Sequence, residues 1–335
     1  MKSRQRGFTL VELFIGVLIL GIIALVTAQM ISMALALYEG TKRAEAQVYN
    51  LRLASALKAF ARNSNGGRLP TPYTGNGLFS AVYNPEDTST TGQALAFELR
   101  NTSVPLSQIN SDSSLLKNVK AYRVVQGLTY TVPLYFTTGT PVTLTYDVGT
   151  LVQTTCAQGN ACNKGIPGDS VALTDANAAT WDAGGSDYAA VTFSTLPDQK
   201  EMLRMTIGRI NRLTDRLASE FYTRQRLSAA DSGNNFYPLP TNAGAPNLSG
   251  GESASFCYNG WYRLDATNVN ILPQLGLDKA EFGVTAWGGP IEYCQDFDPT
   301  QAGANKAPHY AALRFNKNLT SAGTATATNS VIVTF

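Results

Sequence analysis

KSRQRGFTLVELFIGVLILGIIALV, residues 2–26, decides how the rest of the chain is read. Lys2, Arg4, Arg6 and Gly7 precede an apolar run that continues to about Leu37, broken near its beginning by the carboxylate of Glu12. A helix crosses a hydrocarbon core with about 20 apolar residues, so a segment starting at Phe8 is long enough to span it. Basic flanks stay on the cytoplasmic side, which places Lys2, Arg4 and Arg6 inside and the remainder outside.

An ordinary secretory signal has an apolar core of about 7–15 residues, shorter than this run. Neither that signal nor a plain anchor accounts for Glu12, because a carboxylate inside the membrane costs about 2.5 kcal/mol or more and needs a partner. Cleavage between Gly7 and Phe8 answers both points. It removes the basic leader and creates a free amine four residues before Glu12, within the same apolar segment. On one helix the two groups sit about one turn apart. A neighbouring copy displaced along a bundle can also bring its Phe8 amine to this Glu12, and the charge then marks register as a buried polar residue does in a coiled coil.

Gly7, Phe8, Thr9, Leu10, Val11 and Glu12 resemble the processing and methylation site of type IV prepilins and of the pseudopilins of type II secretion. The resemblance implies cleavage after Gly7 by a prepilin peptidase, methylation of the Phe8 amine, and Glu12 as the assembly carboxylate. It implies partners as well: copies of this chain and other pilins in a helical filament, the peptidase, and an inner-membrane assembly platform. The implied location is the inner membrane as a single-pass protein, then an extracellular pilus or a periplasmic pseudopilus. Gly21 falls where many members have a glycine, whereas Gln29 stands where many pilins have a helix-bending proline, so this helix has less intrinsic reason to kink there.

The 335 residues allow about two globular units after the membrane segment. The net charge is +2, from 26 basic against 24 acidic residues, and loss of the leader removes three of the basic ones. A near-neutral exported body has no general pull toward nucleic acid, which is not an expected partner. Cys156, Cys162, Cys257 and Cys294 all fall on the outer, oxidising side, and an even number there reads as disulfides. Three pairings are open; the favoured one joins Cys156 to Cys162 and Cys257 to Cys294. Their spacing matches no zinc site, and His309 is the only histidine.

Along the chain, Ala44, Val48, Leu51, Leu53, Leu57 and Phe60 continue the apolar segment at helical spacing, until Gly66 and Gly67 end the helix. The following RLPTPYTGNGLFSAV resembles the loop after the long helix of pseudopilins, with Gly77 and Leu78 in the GL position. Val, Thr, Tyr and Phe between about Tyr122 and Val152 predict strands with hairpin punctuation. The stretch from Thr155 to Asp187 reads as an exposed loop. Leu203, Ile207, Ile210, Leu213, Leu217 and Phe221 mark one face of a second helix from about Pro197 to Ala230. Leu239, Pro240, Thr241 and Gly244 after it echo Leu69, Pro70, Thr71 and Gly75 after the first helix, either an internal repeat or a coincidence between two proline-rich turns. AWGGPIEY, residues 286–293, resembles a turn of pseudopilin heads, and YAALRF and SVIVTF read as strands.

The fold expected is α+β and pilin-like, with a long N-terminal helix packed on an antiparallel head, enlarged by a second lobe that either repeats that unit or is unrelated to it. Its boundaries are a leader 1–7, a membrane or filament-core helix 8–37, a head-packed continuation 38–65, a β-rich region 66–195 and a second α+β lobe 196–335.

With one histidine there is no Ser-His-Asp or Cys-His system, and no enzyme is expected. Asp296 and Asp298 offer oxygen ligands of the kind calcium takes, although that ion needs about six to eight and such pairs are common in turns. No other cofactor is suggested. Arg204, Arg209, Arg212, Arg216, Arg224 and Arg226 make the second helix basic, which suits either a solvated face or DNA capture. Tyr237, Trp261, Tyr262 and Trp287 read as core anchors or as a recognition surface. The expected function is a structural filament subunit, with a secretion pseudopilin or a filament-borne adhesin or DNA receptor as alternatives.

Overall fold

A computed structural model describes residues 10–73, 82–105, 109, 120–134, 141–153, 173–181, 188–228, 233–241, 256–300, 307–319, 325 and 329–335. Gly7, Phe8, Gly75, Gly77, Leu78, Cys156, Cys162 and Gly244 lie outside them.

The first element, α1, is one helix from Leu10 to Ser64, 55 residues long. Leu, Ile, Ala and Val fill its first half without a proline, so nothing interrupts the backbone ladder. It stops where Gly66 and Gly67 take φ of 57° and 83°. There the Gly67 N–H reaches back to the Ala61 carbonyl at 2.7 Å, closing the helix end with a left-handed turn. Gly67 admits no side chain, since a Cβ would lie 1.7 Å from Gln199 Nε2.

A short helix α2, Thr90–Arg100, packs on the distal half of α1, its first turn capped by the Ser89 hydroxyl, which accepts from Gly92 N. Three strands follow, β1 (Lys120–Val132), β2 (Val142–Gln153) and β3 (Val191–Ser194), in the antiparallel order β1-β2-β3. Leu53, Leu57 and Phe60 of α1 meet Leu95 and Leu99 of α2 and Tyr122 and Leu151 of the sheet in one buried cluster.

The second long helix, α3, runs Leu196–Leu227, beginning one residue before the expected start with Pro197 in its first turn, where the missing N–H costs nothing. Ser228 is already extended, which ends the helix short of Ala230. Strands β4 (Tyr262–Arg263), β5 (Glu292–Cys294), β6 (Ala312–Asn316) and β7 (Ser330–Thr334) form an antiparallel sheet in that order. Short helices α4 (Ile271–Gln274) and α5 (Lys279–Phe282) lie between β4 and β5. Leu203, Ile210, Leu213 and Leu217 of α3 pack against Tyr293, Leu313 and Phe315 of this sheet, and Leu134, Val142 and Leu144 from the first sheet region join the same cluster. The architecture is thus α+β, a long apolar helix followed by an antiparallel sheet and a second helix-and-sheet lobe.

The two Leu-Pro-Thr turns do not occupy matching surroundings. Leu69 is buried and its N–H donates to the Asp147 carboxylate, whereas Leu239 is 36% exposed and only its carbonyl is used, by Gln274. Most of the expected loop 155–187 falls outside the described residues; the part that does not, 173–181, consists mainly of turns.

Candidate functional site

The first half of α1 is the candidate functional surface. Every residue from Leu10 to Glu45 is exposed, including the apolar ones, and the helix is long and apolar enough to cross a membrane. Glu12 lies near the start of the described part of the helix.

The second half holds the head. Leu53, Leu57 and Phe60 face inward as expected, but Val48 and Leu51 point to solvent at 45% and 51% exposure. Their inward counterparts are Ala46, Asn50 and Ala54, small or polar groups that let the helix approach the sheet. Asn50 Nδ2 donates to Gln153 Oε1 at 3.2 Å, and Gln153 lies opposite Lys120 across the β1–β2 ladder. All three side chains are buried.

Burial pushes the Lys120 ammonium down from its ordinary value to about 7. Above that pH the unfolded chain binds more protons than the folded one, so this group makes stability rise with pH until the ordinary lysine value is reached. The slope from one such group is at most about 1.4 kcal/mol per pH unit. Thermal unfolding of the full chain in detergent is therefore expected to shift upward between about pH 7 and about pH 9, and Lys120→Met to flatten that rise. An identical rise in the variant would assign it to other groups.

The junction between α1 and the head turns on Asp147, a fully buried residue of β2. Its carboxylate accepts from Leu69 N at 2.7 Å, from Gly127 N at 2.9 Å and from Arg68 Nε at 3.1 Å. Gly127, with φ of 83°, lies at the irregularity in β1 that turns this N–H inward. The Asp147 backbone N–H donates to Thr195 Oγ1 at 2.9 Å, tying the start of α3 to the same point. A second tie runs through Gln199, which donates to the Gly67 carbonyl at 3.0 Å and accepts from Trp287 Nε1 at 2.6 Å. The Trp-Gly-Gly-Pro turn is also held by Thr206, whose hydroxyl accepts from Ala286 N, and by Arg209, which donates to the Val284 carbonyl. Asp147 had no signal in the sequence beyond being a charged residue in a β-rich run, and Gln199, set among Asp198, Lys200 and Glu201, had none.

The remaining expectations resolve one by one. Cys257 and Cys294 form a disulfide. Asp296 is buried, with His309 Nδ1 3.3 Å from its carboxylate, and His309 Nε2 lies 2.9 Å from the Gly233 carbonyl. Asp298 accepts from the N–H and hydroxyl of Thr300. Among the described residues no group of three or more His, Cys, Asp or Glu side chains is placed to hold a metal. On α3, Arg204 pairs with Glu201, Arg224 with Glu220 and Gln274, and Arg212 lies 5.4 Å from the Phe282 ring centre. Tyr237, Trp261 and Trp287 are buried and act as core anchors, while Tyr262 is half-buried against the core of the second lobe; the Arg314 guanidinium lies over the Trp261 ring, and Tyr237 donates to the Phe335 carbonyl. Rings of that size stabilise the second lobe most when removed from water.

Residues 2–28 match the family model of the prokaryotic N-terminal methylation motif. No curated protein and no solved structure matches the chain. The motif covers the leader and the first part of α1, where the exposed apolar helix and its single early carboxylate suit membrane anchoring. The chain therefore begins with a prokaryotic N-terminal methylation motif, the class III signal peptide of type IV pilins and pseudopilins.

Proposed function

We propose that this protein is a structural subunit of a type IV pilus-like filament. Prepilin peptidase removes residues 1–7, the Phe8 amine is methylated, and the inner-membrane assembly platform moves the chain from the membrane into a helical array with its copies and other pilins. The observation that supports this reading is the single helix from Leu10 to Ser64, bare and apolar in its first part and packed on a folded head in its last, with the methylation motif at its start. Glu12 pairs with the Phe8 amine of a neighbouring copy and sets the register of the bundle. The protein's work is then mechanical, and the assembled filament is extracellular.

A second reading, a pseudopilin in a periplasmic pseudopilus, draws on the Trp287–Pro290 turn, which resembles one in pseudopilin heads and is bonded to α3 at Gln199, Thr206 and Arg209. Both readings share the cleavage step. Gly7→Val is expected to leave a chain of precursor mass in the membrane and none in the sheared surface fraction. A correctly shortened chain from that variant would contradict the proposed cleavage site.

A further inference from the structure

A groove of about 460 Å³ runs along the outward face of α1, between that helix and the end of α2. Val48, Leu51, Ala56 and Ala59 give it an apolar floor, and Arg52 and Glu98 place one charge of each sign at its rim. This is where the exposed Val48 and Leu51 lie, on the face that the head leaves uncovered. Lipid does not reach it before assembly. A bilayer core takes about 20 residues of α1, which from Leu10 ends near Gln29, and Leu51 lies about 33 Å further along the helix.

The same helix carries more apolar length than a bilayer covers. The exposed run from Leu10 to Tyr38 is about 43 Å long at about 1.5 Å per residue, against a hydrocarbon thickness of about 30 Å. Tilting alone would have to reach about 45°, beyond the usual range of 0–40°. The surplus is the stretch from Met30 to Tyr38, in which Met30, Ile31, Met33, Leu35 and Leu37 are all more than half exposed. One chain therefore bears both an uncovered apolar groove and an uncovered apolar stretch of helix, and its own straight helix keeps them apart.

We propose that the groove between α1 and α2 receives the Met30–Tyr38 stretch of a second copy of this chain. The proposal rests on the filament reading and adds the contact that spaces the copies. Groove and stretch are centred about 20 residues apart, which sets an axial offset of about 29 Å between the two copies. The two surfaces differ, so the contact is heterologous and repeats without closing, as a filament requires. It joins a different pair of neighbours from the one linked through Phe8 and Glu12, whose offset is about one helical turn.

Paired cysteines in the full-length chain test it, in cells that make the filament. Ser55→Cys is combined in turn with Met33→Cys, Ala34→Cys, Leu35→Cys and Ala36→Cys, which together cover a full helical turn. Within one chain these positions are about 30 Å apart and cannot bond. A ladder of disulfide-linked multimers from sheared filaments is expected for at least one pair. No ladder is expected for Ser55→Cys with cysteines at Val17, Leu18, Ile19 or Leu20, or for any single variant. Leu51→Glu is expected to lower filament yield about tenfold with cleavage unchanged. Intact filaments without a ladder, or with equal ladders from both sets, would overturn the groove contact and leave the filament reading standing. Absence of filaments from the unaltered chain would overturn both.

Discussion

Filament yield is expected to fall at least about 100-fold when Glu12 is replaced by alanine, with membrane insertion and cleavage after Gly7 continuing. The removed group is the one carboxylate in the exposed apolar first part of α1, and it lies in the first turn. In the proposed filament that position would be surrounded by apolar helices, and its loss would leave a neighbour's Phe8 amine without a counter-charge. Breaking a buried pair in this way costs about 3–5 kcal/mol per contact, and about 1.4 kcal/mol is already a factor of ten in an equilibrium. Insertion is unaffected or slightly improved, because the carboxylate opposes entry into the hydrocarbon. Quantifying the protein in sheared and membrane fractions checks the prediction, and wild-type yield from the variant would remove Glu12 from the assembly step.

Asp147→Ala is expected to destabilise the head by about 3 kcal/mol. Three donors converge on a carboxylate that is fully buried. The Arg68 share is small, since that side chain is 36% exposed and solvent screens it. The cost comes chiefly from the Leu69 N–H, which would be left buried with no acceptor, whereas Gly127 is exposed and water can replace the carboxylate there. The turn after α1 would loosen as well, because the Tyr122 hydroxyl and Gln126 amide hold only its Pro70 and Leu69 carbonyls. Urea unfolding of the full chain in detergent, with wild-type slope and a lowered midpoint, is the expected result. A change below about 1 kcal/mol would show that the junction does not depend on this carboxylate.

The long helix and its end were legible because their causes are local: an unbroken apolar run, then two glycines. The β-rich region was legible for the same reason, since Tyr, Val and Thr between Tyr122 and Val152 favour strands and the structure pairs them as β1 and β2. The face of α1 was read only in part. Val48 and Leu51 recur at the same helical spacing as Leu53 and Leu57, and periodicity does not say that one set meets the head while the other faces away. Asp147 and Gln199 were not legible at all. Their partners at Arg68, Leu69, Gly67 and Trp287 lie 78 to 132 residues away or in another lobe, so only the fold brings them together. Cysteine number and compartment predicted disulfides with three pairings open, and the structure forms the favoured Cys257–Cys294 bridge between the segment before β4 and the end of β5. The Gly7–Phe8 junction and the Cys156–Cys162 pair lie outside the described residues, so for them the reading rests on sequence.

The most direct measurement is mass spectrometry of the intact chain from sheared surface filaments and, in parallel, from membranes. The account predicts a species that begins with methylated Phe8 and is abundant in the filament fraction. A chain that keeps Met1 and the basic leader in every fraction would contradict it.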